Sequence, residues 1–334
     1  MPRSGDVTFN LRSDAARSID ALVLTCVAAV AGLGLLVLSA TSPELPQTGD
    51  PVVYAAVSAP HADASRLPPQ FYPWRAPEPF APPVPEAAPP AAPISRQPAF
   101  LTRLADPHND RTFRPAAYDN NNSHYGAHWR EQNASPTSSG TLLTVRRTPG
   151  LTVPFTSSEM STGRTHGYGR YEVIMRPARG EGLVSAFFTY TGPWFGDPHD
   201  EIDIEFLGKD TTRVFLNYFR NGRRGHHATI ELPFDAAEAD RLYAFEWTPE
   251  TITWFIEGVP VYSSAASESR HPVAAGRIYM NVWPGAPSIH GWTGQPRLAQ
   301  PAGAHFSCVS FVPMGGTGPA CADVYTPPGQ PLSP

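Results

Sequence analysis

The sequence predicts an all-β domain, an antiparallel sandwich or barrel best fitted by a large two-sheet jelly roll. An apolar N-terminal segment and a proline-rich linker precede it. Two observations carry the fold class. From Ala99 onward the chain shows short runs that alternate or are rich in β-branched and aromatic residues, with turn residues between them and no convincing amphipathic helix. The folded stretch, residues 99–313, is large for an immunoglobulin-like sandwich and suits two bigger sheets.

The elements follow in chain order. Residues 1–20 form a short N-terminal stretch that the charge pattern places in the cytoplasm. Ala21–Ala40 (ALVLTCVAAVAGLGLLVLSA) is 20 residues without a charge, about the length that spans a hydrocarbon core. Arg3, Arg12 and Arg17 precede it, and the next basic residue is Arg66. That asymmetry predicts a transmembrane anchor with the bulk of the chain across the membrane. The expected location is the periplasmic face of an inner membrane, or the medium if the segment is a cleaved signal. Residues 41–98 read as a disordered linker: 16 of the 39 prolines lie between Pro43 and Pro98. Proline removes backbone donors and favours extended polyproline II.

The predicted strands are Thr141–Arg147, Tyr171–Arg176, Leu183–Tyr190, Asp200–Phe206, Thr212–Tyr218, Arg241–Trp247, Thr251–Glu257 and Arg277–Trp283. Thr248-Pro249-Glu250, Glu257-Gly258 and Pro284-Gly285 read as turns. Residues 314–334 read as a disordered tail, part of which a Cys308–Cys321 bridge would pin. Cys308 and Cys321 are 13 apart. Two readings stay open for them, a disulfide in an oxidising compartment or two unrelated thiols. The formal charge of −5 argues against a nucleic-acid binder working through a basic field.

The most informative strand is Asp200–Phe206, DEIDIEF. Alternation puts Ile202, Ile204 and Phe206 on one face and Glu201, Asp203 and Glu205 on the other. A solvated polar face usually mixes charges, and nothing basic interrupts this row. Crowded carboxylates cannot all ionise easily, so one is held protonated beside an ionised neighbour. Retaining glycoside hydrolysis needs that pair. A Mg²⁺ or Ca²⁺ site is the weaker reading, since one straight strand wraps an ion poorly.

His199–Gly208 (HDEIDIEFLG) resembles the signature strand of glycoside hydrolase family 16, and Asp200–Thr212 is similar to bacterial lichenases, the endo-β-1,3-1,4-glucanases. Gly167-Tyr168-Gly169, the stretch Phe187–Pro193, Asn217-Tyr218, Met280-Asn281 and Trp283 fit the same pattern. The resemblance implies a β-jelly roll sandwich of two curved antiparallel sheets with an open substrate cleft, and retention of configuration. It implies Glu201 as nucleophile, Glu205 as general acid/base and Asp203 as assisting carboxylate. It further implies substrate contacts from Glu159, His199, Asn217, Tyr218, Asn281, Trp283 and Trp292. The chain also departs from lichenases. His199 stands where they commonly have tryptophan, and is similar to plant xyloglucan endotransglucosylases and some bacterial exopolysaccharide depolymerases. Ser161 replaces an arginine of the lichenase substrate site. Ser307 stands where the family often has a calcium-binding aspartate.

The expected function is therefore an endo-acting retaining β-glycoside hydrolase on a β-1,3/1,4-glucan or a related bacterial exopolysaccharide. Transglycosylation and carbohydrate binding without turnover are the alternatives. No cofactor is expected to be required, and structural calcium is in doubt. The expected partners are a polysaccharide and, through the N-terminal helix, a membrane. Nucleic acid is not among them, and the protein is expected to be a monomer.

Overall fold

The computed structural model describes Ala56–Val57 and residues 97–329, apart from 121, 152, 268 and 269. The predicted cytoplasmic stretch and transmembrane anchor lie outside the described residues, as does most of the predicted linker. Among the described residues no helix is long and apolar enough to cross a membrane.

Among the described residues, eighteen strands form the body. They are β1 Ala56–Val57, β2 Phe100–Thr102, β3 Phe113–Pro115, β4 Ala127–Trp129, β5 Ala134–Pro136, β6 Thr141–Arg147, β7 Phe155–Thr162, β8 Gly169–Arg176 and β9 Leu183–Thr191. They continue as β10 Asp200–Leu207, β11 Arg213–Arg220, β12 Arg223–Arg224, β13 Ala228–Glu231, β14 Arg241–Trp247, β15 Thr251–Ile256, β16 Val259–Ala265, β17 Arg277–Pro284 and β18 Ala302–Pro313. One four-residue α-helix, α1, spans His290–Thr293. The eight predicted strands all form, and β6 and β14 have the predicted bounds.

The first sheet runs antiparallel in the order β1–β13–β11–β10–β9–β17–β7–β3, with β12 folded back on β11 and the short β4 paired parallel with the start of β7. The second runs β16–β15–β14–β8–β18–β6–β5, with β2 also on β18. Strand β6 joins the two by pairing with β7 at Arg146 and Arg147. This is the predicted jelly-roll-like architecture. Two hairpins turn on residue pairs with positive φ, Asn221-Gly222 (50° and 72°) and Glu257-Gly258 (51° and 82°). Two left-handed residues in succession match the right-handed strand twist, and glycine takes the second without steric cost.

The core lies between the sheets. Ile202, Ile204 and Phe206 of β10 and Phe187 of β9 meet Tyr243, Phe245 and Trp254 of the second sheet. Phe206 packs edge-on against Tyr243, their centroids 5.0 Å apart. Each such side chain contributes roughly 1.5–3 kcal/mol through burial. The Trp254 indole also donates to the Asp203 carbonyl (3.1 Å), tying the second sheet to the middle of the acidic strand.

The C-terminal stretch differs from the loose tail that its glycine and proline content predicts. Cys308 and Cys321 are disulfide-bonded, with Cα atoms 5.9 Å apart. They are buried with Ile174 and Leu242, and Tyr325 packs against the same cluster. The Cys321 amide donates to Ser310 Oγ, and the Ala322 amide to Glu172. A short apolar cluster and a covalent tie thus overcome the composition of residues 314–329. Closing a loop of this length is worth about 2–3 kcal/mol. Replacing both cysteines by alanine is expected to lower the melting temperature by about 5–10 °C. Melts of the native protein that are the same with and without reductant would show that the bridge does not hold this segment.

Candidate active site

Strand β10 is paired on both sides, so its side-chain directions are fixed. Glu201, Asp203 and Glu205 share the face turned away from the inter-sheet core. Each has defined neighbours across the sheet. Glu201 sits between Phe219 and Tyr190, Asp203 between Asn217 and Phe188, and Glu205 between Phe215 and Ala186. Strand β17 adds Tyr279 beside Phe188 and Asn281 beside Ala186. Strand β7 adds Glu159 beside Asn281. The three carboxylates line a cleft with Tyr125, Phe188, Phe219, Asn281 and Trp283.

Asp200, the fourth acid of DEIDIEF, falls on the opposite parity and does structural work. Its buried carboxylate accepts from Arg220 Nη1 (2.8 Å) and from the amides of Asn221, Val273 and Ala274 (2.8–3.0 Å). This anchors the start of β10, one residue before Glu201.

The carboxylates sit in different environments. Glu201 Oε2 accepts from His199 Nε2 at 2.6 Å, since an ionised carboxylate can only accept. The imidazole is stacked on Phe219 (centroids 5.2 Å, planes 17° apart) and meets the Tyr190 ring edge-on. Glu205 accepts from Asn217 Nδ2 (3.0 Å). Burial, and then the charge of Glu201, push Glu205 up to about 8, against weaker opposing effects of Asn217 and Arg224. Burial pushes Asp203 up as well, and the charges of Glu201 and Glu205 add to it. Glu159 is raised to about 7 by burial, although Asn281 and Tyr118 donate to it.

The amides complete the floor. Asn217 and Asn281 each give their nitrogen to a carboxylate, Glu205 and Glu159 respectively. Each leaves Oδ1 buried without a partner. Such acceptors suit hydroxyl donors of a ligand. Trp283 meets Tyr125 edge-on at 4.6 Å, and Trp292 on α1 packs against Trp283. Both tryptophans therefore lie at the Glu205 end, as a wall of apolar rings. Trp194, in the turn before β10, is 89 % exposed at the other end.

Tyr218 is not a cleft residue, contrary to the sequence expectation. Its cross-strand partner is Ile202, so it shares the core face. It is fully buried, its ring stacks on Trp254, and its hydroxyl pairs with Ser264 Oγ at 3.0 Å. Adjacent strand residues cannot both face one side, and Asn217 takes the cleft. The sequence reading missed Tyr118, Tyr125, Phe188 and Phe219. Phe219 has the parity of Asn217, which is the signal that could have found it. Tyr118 and Tyr125 lie in a stretch without strand periodicity and carry no such signal.

The residues at the implied calcium position do not fit an ion. Ser307 is neutral, and its hydroxyl donates to the Ile174 carbonyl. Among the described residues no group of three or more His, Cys, Asp or Glu side chains could hold a metal.

Comparison with known proteins gives the same frame. The pattern of glycosyl hydrolases family 16 matches residues 121–299. A β-glucanase of Bacillus subtilis (strain 168) is 42% identical over 194 residues, covering 58% of this chain and 78% of that protein. A β-1,3-1,4-glucanase (lichenase) from a mouse hindgut metagenome aligns with a TM-score of 0.61 at 35% identity, covering 64% of this chain and 99% of the other. The Bacillus licheniformis β-glucanase structure aligns with a TM-score of 0.60 at 38% identity, covering 65% and 98%. With its three carboxylates aligned on one cleft strand, the chain belongs to glycosyl hydrolases family 16 and is a glycoside hydrolase.

Proposed function

We propose that the protein is an endo-acting, retaining β-glucanase that cleaves a β-1,3/1,4-linked glucan or a related bacterial exopolysaccharide. The observation that carries this reading is the unequal setting of Glu201 and Glu205 on one face of one strand. Glu201 is bonded to an imidazole, while burial and the neighbouring charge keep the proton on Glu205 at neutral pH. The roughly 40% identity to curated β-glucanases supports the substrate class.

In the first step a Glu201 oxygen bonds to the anomeric carbon as the glycosidic C–O bond breaks. The Glu205 proton passes to the leaving oxygen. In the second step Glu205 takes a proton from water, whose oxygen attacks the same carbon and frees Glu201. Asp203, protonated between them, limits the negative charge of the row. Asn217 and Asn281 accept sugar hydroxyls on their free Oδ1 atoms, and Trp283 and Trp292 offer ring faces to the sugar.

The test is reducing-sugar release from mixed-linkage β-glucan, β-1,3-glucan, xyloglucan and a succinoglycan-type exopolysaccharide, with the first product's anomer read by NMR. Release from a β-1,3/1,4-glucan or the exopolysaccharide with the β-anomer formed first is expected. An α-anomer formed first would sink the retaining mechanism. Chains longer than the starting polymer would assign transglycosylation instead. A chelator is expected to leave the rate unchanged, since the chemistry uses carboxylates alone. We also place the domain on the outer side of the inner membrane. The arginines before the apolar segment and the disulfide of the domain support that location. Recovery of the protein from the cytosolic fraction would refute it.

A further inference from the structure

A second cavity, of about 460 Å³, lies at the end of β7, and no residue lining it lines the cleft. Its wall includes Phe100, Arg111, Thr162, Arg164 and His166. Pockets of roughly 300–1,000 Å³ hold small organic ligands.

The cavity is built from hydrogen-bonded turns. Asp110 Oδ1 accepts from the Thr112 and Phe113 amides (2.7 and 2.8 Å), which fixes the turn that carries Arg111. The other Asp110 oxygen is taken by the Thr102 hydroxyl (2.7 Å). Thr162 Oγ1 donates to the Arg164 carbonyl (2.7 Å) and accepts from the Ile278 amide (3.0 Å). His166 is paired through its backbone in both directions with Gly276. Its imidazole, only 5 % exposed, meets Phe100 and Phe311 edge-on. Its Nδ1 makes no hydrogen bond of ordinary geometry, and burial lowers the imidazole to about 4 against a weaker opposing effect of the Arg164 backbone, so the ring is neutral at pH 7. Arg111 and Arg164 make no ion pair among the described residues.

Two exposed arginines without an ion-pair partner among the described residues thus share one wall with a half-buried phenyl ring, an amphipathic lining in a protein of net charge −5. Guanidinium forks match carboxylates in a bidentate way, and a phenyl ring suits the apolar face of a sugar. We propose that this cavity is a second saccharide site, separate from the cleft, that takes a carboxylate-bearing sugar of an acidic glycan. Arg111 and Arg164 hold the carboxylate, and Phe100 and His166 bound the ring. The site does not depend on which glucan the cleft cuts.

The test is calorimetric titration of the full chain with trigalacturonate while cellotriose saturates the cleft. Binding is expected, and Arg111→Ala/Arg164→Ala is expected to weaken it at least tenfold. That variant should hydrolyse neutral glucan as the native protein does. If it fails to fold, Arg111→Gln/Arg164→Gln keeps most of each stem and removes the charge. Equal binding by native protein and variant, or no binding of trigalacturonate, would overturn the proposal. So would displacement by cellotriose, which puts the ligand in the cleft, or equal competition by sulfate, which leaves a bare anion site. Loss of neutral-glucan hydrolysis by a folded variant would place the arginines in the cleft and overturn it as well.

Discussion

Glu201→Gln is expected to lower turnover by roughly 10⁴–10⁶-fold while the protein stays folded. The amide has nearly the shape of the carboxylate, and its oxygen can still accept from His199. What it lacks is the charge that bonds to the anomeric carbon. The loss should appear in kcat, because an attacking group contributes mainly to the transition state. A second consequence follows from the coupling of the row. The Glu201 charge is one reason that Asp203 and Glu205 hold their protons, so its removal should let both ionise at lower pH. Reducing-sugar assays and a thermal melt check the two points together. A folded Glu201→Gln protein within tenfold of native activity would show that Glu201 is not the attacking group.

Glu205→Gln is expected to cost about 10²–10⁴-fold on glucan, the usual range for a general acid–base group. It should cost far less in the first step on an aryl glycoside, whose leaving group needs no proton. The same residue sets the alkaline limb of the native pH profile. Its proton is held to about pH 8 in the folded protein, so activity should fall as pH rises through that value. Stability moves in the same direction. An unfolded chain releases this proton near pH 4.5, while the folded chain keeps it to about 8. The folded state therefore gains from the proton at low pH, and that advantage fades progressively between these values. Glu159, raised to about 7, adds to the trend. Glu205→Gln carries no charge at any pH, so it should melt higher than the native protein at pH 8 and differ less at pH 5. Melts with no pH-dependent difference between the two proteins would remove Glu205 from this role. An alkaline limb unchanged in position on an aryl glycoside would do the same for the activity profile.

Much of this protein was legible because β-strands write their two faces in alternate residues. DEIDIEF, on one strand, separates an apolar face from an acidic one without any knowledge of neighbours. The other predicted strands were found by alternation or by their β-branched and aromatic content. Strand β7 (FTSSEMST) and the long β18 were not, as their polar and small residues break the alternation although most are buried. Composition misled at the C-terminus, where a disulfide and a small apolar cluster order residues that glycine and proline alone would leave loose.

The sequence by itself determined the all-β class, from many short runs, and the acidic row. The row is a property of one strand and depends only on period two. The tertiary structure decided which neighbours each carboxylate meets: His199 on Glu201, Asn217 on Glu205, and Asn281 across β9 with Glu159 beyond it. Strand parity already turns Tyr218 and Asp200 away from the cleft, and the tertiary structure decided what they meet there, Trp254 and Ser264 for the one and Arg220 for the other. The physical reason is register. A residue's face follows from its own strand, but its partners follow from how strands far apart in sequence align, and hydrogen-bond pairing between them fixes that alignment only in the folded chain.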